Sequence, residues 1–156
     1  MVARTINILG IIFGIIAFPS LFRNPSVKLW LPLFLINGFN NHLFNKVLVT
    51  TKKLKYPVRL FPKRFKINVI YDYLVCPYLS IWYCQSTYNA TRSEIFGKLF
   101  LWVIPQGAYE ILLEQKTNTL KFKDGWKWFH SLFLVFVVKL LSRGILGLLK
   151  RTRFYV

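Results

Sequence analysis

The sequence predicts an all-α integral membrane protein, a helical bundle with five transmembrane helices in a single domain, 1–156. Hydrophobic residues make up 54% of the chain. They gather in five stretches of 18 to 22 residues, and a helix needs about 20 residues to cross a hydrocarbon layer of about 30 Å. Six of the 27 charged residues fall inside these stretches, whereas a soluble helical bundle interleaves charge along every helix. The predicted spans are 5–22, 29–49, 67–84, 95–113 and 128–149.

The first span, 5–22, also has features of a signal peptide, because Arg4 precedes an apolar run. No small-residue cleavage site ends that run, and Pro19 stands where cleavage would be expected. We therefore expect a retained helix. Gly10 and Gly14 form a G-x-x-x-G pair, which removes side-chain bulk from one face and lets another helix approach closely in lipid.

The second span, 29–49, carries a stripe of amides. Asn37, Asn41 and Asn45 recur every fourth residue and so share one face of a helix. An unpaired amide is costly in hydrocarbon, so the stripe should face other helices or water rather than lipid. Two interpretations remain open: hydrogen bonds that hold helices together, or one wall of a polar pathway.

Five charged residues, Asp72, Lys98, Glu110, Lys139 and Arg143, lie within the last three spans, and charges at membrane depth point to function by default. A buried carboxylate beside a buried cation satisfies both, so we expect Asp72 and Glu110 to pair with Lys139 and nearby basic groups. Arg143 lies one helical turn beyond Lys139 on the same face. An ion-pair lock, snorkelling of the two cations to an interface, and an ion or proton relay are the alternatives.

The connectors set the orientation. Lysines and arginines are concentrated in the connectors 50–66 and 114–127, which lie an even number of crossings apart and therefore share a side. The positive-inside rule places that side, and the N-terminus, in the cytoplasm. The C-terminal Lys150, Arg151 and Arg153 would then lie outside, against the rule. A four-crossing arrangement, with the first or second segment re-entrant or lying flat, is the alternative.

The connector 50–66 is expected to contact anionic lipid headgroups. Its cations alternate with apolar side chains, and each adds about 1 kcal/mol of attraction near an anionic surface. Nucleic acid is the competing partner for such a pattern, but flanking spans tether this loop at the membrane, so no nucleic acid is predicted. Trp126 and Trp128 are expected to anchor at the interface. The predicted headgroup contacts are Lys52, Lys53, Lys55, Arg59, Lys63, Arg64 and Lys66.

Residues 50 to 130 contain a combination of short motifs that resembles one family. The motifs are Tyr56-Pro-Val-Arg59, Pro62-Lys63, Phe65-Lys-Ile67, Asp72-Tyr-Leu74 with Pro77, Glu110 with Glu114, Thr117-Asn118 and Gly125-Trp-Lys-Trp128. They resemble an uncharacterised family of small multi-pass membrane proteins found mainly in spore-forming Firmicutes. The resemblance implies an all-helical fold in a bacterial cytoplasmic or spore membrane, and it brings no established activity or catalytic residue.

Enzyme chemistry finds little support in the sequence. Its two histidines, His42 and His130, belong to no hydrolase, metalloprotease or nucleotide-binding motif. Glu110 and Glu114, with Asp72, are the one set that suggests a divalent cation, and the surrounding lysines argue against it. We expect no cofactor, no metal and no catalytic residue.

The leading functional expectation is a non-enzymatic accessory subunit or scaffold that packs against itself or a larger membrane protein. The alternative is a small transporter or channel, and a lipid-handling enzyme is a weaker third possibility. The pathway of a transporter would be lined by Asn37, Asn41, Asn45, Asp72, Glu110 and Lys139.

Overall fold

A computed structural model describes residues 2–24, 27–57, 63–64, 68–117 and 120–153, with the side chains of residues 2, 3 and 153 left aside. It confirms an all-α helical bundle. A 3-10 turn, Phe18–Phe22, follows α1, and a π-helical turn, Tyr71–Val75, leads into α3. The helices are α1 (Val2–Ala17), α2 (Val27–Thr50), α3 (Cys76–Ser86), α4 (Arg92–Lys116) and α5 (Trp128–Arg153), and two short strands are β1 (Leu54–Lys55) and β2 (Lys121–Phe122).

Helix α3 lies at the centre of the bundle. It packs against α2, α4 and α5, and the π turn that precedes it packs against α1 and α2. Ile81, Tyr83 and Cys84 are fully buried, so α3 has neighbours on most of its circumference. A helix in this position contributes little surface to the outside of the protein.

The π turn before α3 has a local cause. Pro77 lies in the first turn of α3 and has no backbone N–H to donate to the carbonyl group one turn earlier. The backbone before it widens into the π turn, and Asp72 lies within that turn. Single π turns inside helices occur often at functional sites.

Glycines allow three close helix contacts. A Cβ atom at Gly10 would lie 2.7 Å from Ile70, and one at Gly14 would lie 2.3 Å from Leu74. The pair lies at a close contact, and its partner there is the segment around the π turn of the same chain. The pair is used within the bundle, so it gives no support for association with another protein. Gly107 of α4 packs equally closely against Leu132 of α5.

The two basic connectors meet at one end of the bundle, in agreement with their predicted common side. Strands β1 and β2 pair in antiparallel fashion, with Leu54 opposite Phe122 and Lys55 opposite Lys121. The N–H of Lys123 donates to the carbonyl oxygen of Lys53 at 2.8 Å. We call this end, which holds the β1–β2 ribbon, the basic end.

This register predicts a specific disulfide. Residues directly opposite in an antiparallel pair have Cβ atoms about 4.5–5.5 Å apart, and diagonal pairs lie about 7–8 Å apart. In a Cys76→Ser/Cys84→Ser background, Lys55→Cys with Lys121→Cys should therefore oxidise readily to an intramolecular disulfide. The pair Lys55→Cys with Lys123→Cys, two residues out of register, should oxidise much more slowly. Gel mobility after mild oxidation measures both, and equal rates would contradict the register.

Helix α4 begins at the end of the bundle opposite the basic end, and its N-terminus is capped by hydrogen bonds. Thr91 caps α4: its hydroxyl oxygen accepts from the N–H of Glu94 at 3.4 Å, and its own N–H donates to Glu94 Oε2 at 2.7 Å. This reciprocal arrangement is a capping box. Glu94 precedes the predicted span 95–113, and the hydrogen bonds from the backbone and hydroxyl of Thr91 lower the pKa of its carboxyl group.

The capping box predicts a mutational and a pH effect. Thr91→Ala should lower the free energy of unfolding by about 1 kcal/mol. Because the pKa of Glu94 is lower in the folded state, its contribution is present above the ordinary pKa of 4.5 and is lost as the pH falls through the lower folded value. Thermal unfolding followed from neutral pH into the acid range should show this loss in the wild type. Glu94→Gln should remove the part of the stability loss at acid pH that comes from Glu94. An unchanged loss at acid pH in this variant would contradict the capping role of Glu94.

Large apolar side chains cover the outward faces of four helices. Two segments, Arg4–Phe22 and Trp128–Thr152, are long and apolar enough to cross a membrane by length and composition. Helices α2 and α4 are long enough but do not meet the same combined test of hydropathy and charge. Their outward faces are nevertheless apolar. We call these outward residues the apolar belt; it includes Ile15 and Ile16 on α1, Leu35 and Phe39 on α2, Leu101 and Ile104 on α4, and Phe133 and Leu148 on α5.

Candidate functional site

Polar side chains line the inner faces of the helices around α3. We call this set the polar seam. It contains most of the residues that the sequence singled out and several that it did not. Its members are Asn37, Asn41 and Asn45 of α2, Tyr71 and Asp72 of the π turn, Ser80 of α3, Gln106 and Glu110 of α4, and Lys139 and Ser142 of α5.

The asparagine stripe faces inward, as predicted. Asn37 and Asn41 are 1% and 4% exposed. Asn37 Nδ2 donates to the carbonyl oxygen of Leu33 at 2.8 Å, and the hydroxyl of Ser142 donates to Asn37 Oδ1. Asn37, at the N-terminal end of the stripe, therefore connects α2 to α5.

The C-terminal part of the stripe, Asn41 and Asn45, holds Asp72. Its side chain is fully buried, and its Oδ1 accepts from Asn45 Nδ2 at 2.8 Å. Asn41 Nδ2 lies 3.4 Å from the carbonyl oxygen of Asp72. The other carboxylate oxygen, Oδ2, has no hydrogen-bond partner among the described residues. The stripe thus connects α2 to the π turn as well as to α5.

Tyr56 extends this chain of hydrogen bonds to the basic end. It follows β1, is 5% exposed, and donates its hydroxyl to Asn45 Oδ1 at 3.2 Å. Burial, followed by the nearby Asp72 and Glu110 carboxyl groups, raises the pKa of Tyr56 well above its usual value. The phenol therefore stays protonated and keeps its role as a donor.

Glu110 and Gln106 bring α4 into the seam. Tyr71 donates its hydroxyl to Glu110 Oε1 at 2.8 Å. Gln106 Nε2 lies 3.5 Å from Cys76 Sγ, while Gln106 Oε1 is buried without a hydrogen-bond partner among the described residues. One turn apart on α4, both side chains therefore point towards the π turn and the start of α3.

Lys139 does not pair with a carboxylate, so the predicted ion-pair lock is wrong. Lys139 is fully buried, and its Nζ donates to Ser80 Oγ at 3.2 Å. Among the described residues, the one salt bridge joins Lys53 to Asp124 at 3.5 Å, on the surface of the basic end. The reason is depth: Ser80 lies eight residues beyond Asp72, about 12 Å along a helix, too far for Lys139 to contact both.

Arg143 also binds a different kind of group from the one predicted. Three cations from α4 and α5 converge on backbone carbonyl groups at the C-terminal end of α3, where the helix dipole is negative and carbonyl groups lack helical partners. The sequence analysis missed this cluster because its acceptors are backbone atoms. The contacts are Lys98 Nζ to Ser86 O (2.6 Å), Arg143 Nη2 to Thr87 O (3.2 Å) and Lys150 Nζ to Tyr88 O (3.1 Å).

The contact of Lys150 bears on the C-terminal basic residues. Its Nζ also lies 3.9 Å from the centre of the Tyr88 ring, a cation–π distance. Lys150 therefore has a packing role at this end of the bundle. The contact with Tyr88 accounts for the position of Lys150, so the positive-inside rule is not needed to explain it.

A small enclosed space, which we call the polar chamber, lies between the seam and the basic end. The volume open to a water-sized group is about 30 Å³, enough for one or two waters. Leu54 and Leu120, which pack with Tyr56 and Leu113 in a second small hydrophobic cluster, close it at the basic end. The polar part of its wall comes from Asn41, Asn45, Tyr56, Tyr71, Gln106, Glu110 and Ser131.

The predicted headgroup residues are divided between the described and the undescribed parts of the chain. Lys52, Lys55, Lys63 and Arg64 are exposed, and Lys53 is half-buried against Asp124. Arg59 and Lys66 lie outside the described residues. Contact with lipid headgroups remains a prediction for all seven.

The two predicted tryptophan anchors differ. Trp128 is 56% exposed, as an interfacial anchor requires. Trp126 is partly buried, and its indole N–H donates inward to Ser131 Oγ at 2.9 Å. Trp126 thus fixes a residue of the polar chamber, a role that the sequence analysis did not predict.

Asp72, Glu110 and Glu114 do not form a cluster that could hold a metal ion. Within the described residues, no group of three or more histidine, cysteine, aspartate or glutamate side chains is suited to one.

No protein-family model matches the chain, and neither a curated protein nor a solved structure shows significant similarity to it.

Proposed function

We propose that this chain is a multi-pass membrane protein that crosses the bilayer five times and acts as a non-enzymatic accessory subunit or scaffold. The observation that carries the proposal is the division of the bundle into two zones. The apolar belt covers the outside of α1, α2, α4 and α5, while the polar seam lies inside and is joined by hydrogen bonds. A soluble protein rarely leaves so large an apolar surface open to water.

Helix α2 supports five crossings despite its asparagines. Its 24 residues extend about 36 Å at 1.5 Å per residue, longer than the hydrocarbon layer. Every fourth residue on its outward face is a large apolar side chain that is 43% to 62% exposed. The asparagines that lower its mean hydropathy face inward. These outward residues are Leu31, Leu35, Phe39, Leu43 and Val47.

Helix α3 is the central crossing in this proposal. Helical backbone runs from residue 69 to residue 86, about 27 Å, close to the thickness of the hydrocarbon layer. Because the other helices surround α3, its own side chains need not be apolar enough to face lipid. This position accounts for Ser80 and Asp72 in a membrane-spanning segment.

The basic end faces the cytoplasmic leaflet in this proposal, with the N-terminus inside. Exposed Lys52 and Lys55 of one connector and Lys123 of the other lie together there. Anionic headgroups would attract such a cluster. A bacterial cytoplasmic or spore membrane is proposed from the resemblance of the motifs between residues 50 and 130.

The hydrogen bonds of the seam favour a structural role for it. They join α2 to α5, α2 to the π turn, the π turn to α4, and α3 to α5. Contacts of this kind between membrane helices contribute about 0.6 kcal/mol each on average, and together they fix the order of the helices. A bundle fixed in this way offers a rigid surface for a membrane partner.

Crosslinking in the native membrane tests the accessory role. A tagged chain, expressed at its natural level, should yield a defined crosslinked product with itself or with one membrane protein, and the same species should copurify in mild detergent. A monomer with no crosslinked or copurifying partner would contradict the proposal. An unrelated tagged membrane protein of the same size serves as the control for chance capture.

A small transporter is the second candidate, and the polar chamber is the observation that favours it. Gln106, which lines the chamber, and the neighbouring Asp72 each keep a buried oxygen atom that has no hydrogen-bond partner among the described residues. Proteoliposomes should then show ion flux that falls with Asp72→Asn and with Glu110→Gln. Flux that is absent, or unchanged by both substitutions, would exclude this candidate.

A further inference from the structure

The polar chamber has more hydrogen-bond acceptors than donors. Tyr71 and Tyr56 use their hydroxyl protons on Glu110 and Asn45, so neither hydroxyl donates into the chamber. Ser131 Oγ already accepts from Trp126. Apart from the Ser131 hydroxyl, which keeps its proton, and the Cys76 thiol, the polar wall therefore presents oxygen acceptors rather than free donors.

Gln106 gives independent evidence for a ligand. Its side chain lines the chamber and is 6% exposed. Its amide nitrogen points to Cys76, which leaves the carbonyl oxygen Oε1 buried with no partner among the described residues. An unpaired buried carbonyl oxygen destabilises the folded state, and a ligand with positive charge removes that penalty.

The charge of the chamber limits the choice of ligand. Among the described residues that line it, Glu110 is the one carboxylate, and the other polar groups are amides, hydroxyls and a thiol. Lys139 donates to Ser80 and does not line the chamber. One carboxylate with neutral oxygen ligands balances one positive charge, and oxygen ligands suit hard cations.

We infer that the polar chamber is a binding site for a small monovalent cation such as sodium, with oxygen ligands from Glu110, Gln106 and the Tyr71 hydroxyl. The space of about 30 Å³ holds one such ion with at most a water beside it. The inference goes beyond the proposed function, because a scaffold needs no ion. It also does not depend on a partner protein.

Thermal unfolding of the full chain in lipid nanodiscs tests this site. NaCl is titrated against choline chloride at constant ionic strength, with KCl in parallel. A ligand that binds the folded state raises the melting temperature with ligand concentration, so Na⁺ should give a saturable rise that choline does not give. Direct ²²Na⁺ binding should reach one ion per chain.

Three variants and one control locate the site. Glu110→Gln and Gln106→Leu should each weaken the apparent Na⁺ affinity by about tenfold or more. Should Glu110→Gln fail to fold, Tyr71→Phe, which removes the hydroxyl ligand and keeps the ring in the same wall, takes its place and should also weaken binding. Glu114→Gln removes an equal charge one turn along α4, outside the chamber, and should leave Na⁺ binding unchanged.

Several outcomes would overturn the inference. Equal melting temperatures in Na⁺ and choline would mean that the chamber holds only water. A response to pH alone, without a response to Na⁺, would assign it to a proton. A response to K⁺ without a response to Na⁺ would contradict the choice of ion, and an equal loss in the Glu114→Gln control would place the ion elsewhere.

Discussion

Asn45→Leu is expected to lower the free energy of unfolding by about 3 kcal/mol, because it removes the donor that holds a buried carboxylate. Asp72 Oδ1 accepts from Asn45 Nδ2 at 2.8 Å, and Oδ2 has no partner among the described residues. The same substitution removes the acceptor of the Tyr56 hydroxyl. Unfolding in mixed micelles of increasing denaturing detergent measures the change.

A double-mutant cycle separates this contact from general damage to the fold. Asn45→Leu combined with Asp72→Leu should recover most of the loss, because replacing both partners with apolar groups is close to neutral. Asn40→Leu is the matched control, since it makes the same change on the same helix outside the polar seam. It should change stability by less than about 0.5 kcal/mol. Simple addition of the two single effects in the double variant would contradict the contact.

Gly107→Leu is expected to destabilise the bundle by about 3 kcal/mol, because it forces side-chain atoms into a closely packed contact. A Cβ atom at Gly107 would lie 2.1 Å from the Leu132 side chain and 3.8 Å from its Cα atom. Leu132 can rotate, but its backbone leaves no room for a second large side chain. Helices α4 and α5 should separate, which the same unfolding measurement and faster proteolysis would detect.

Gly97 provides the control for this prediction. It lies on the same helix, and a Cβ atom there would lie more than 4 Å from every described atom outside its own stretch of helix. Gly97→Leu should leave stability unchanged or raise it by up to about 1 kcal/mol, because glycine is a poor helix former. Equal losses from the two substitutions would mean that the contact between Gly107 and Leu132 does not exist.

The sequence predicted the helices and the inward face of α2 because both follow from local patterns. Runs of apolar residues define helices, and a repeat of four places Asn37, Asn41 and Asn45 on one face whatever surrounds it. The pairing of β1 with β2 agrees with the common side of the connectors, since that side follows from the number of helices between them.

The partners of the seam residues depend on how the helices pack, which no local pattern contains. Lys139 contacts Ser80 rather than a carboxylate because α5 lies against α3 at a depth that sequence spacing does not give. The π turn before Pro77 also changes which side chains around Asp72 face inward. Gly107 was missed because a single glycine carries no repeat, unlike Gly10 and Gly14.

The cations at the end of α3 show a different limit. Sequence reasoning seeks carboxylates for a cation such as Arg143, and it gave no partner for Lys98. Their acceptors are backbone carbonyl groups of a helix end, which every helix has and no residue type marks. A cation near the predicted C-terminus of a neighbouring helix would have been the available signal.

Cysteine labelling in intact cells tests most directly whether the bundle crosses the membrane with its basic end in the cytoplasm. In a Cys76→Ser/Cys84→Ser background, single cysteines replace Lys55 at the basic end and Asn89 at the opposite end. A membrane-impermeant maleimide should label Asn89→Cys in intact cells and Lys55→Cys only after permeabilisation. Labelling of both positions from the same side, or recovery of the chain from the soluble fraction, would contradict the account.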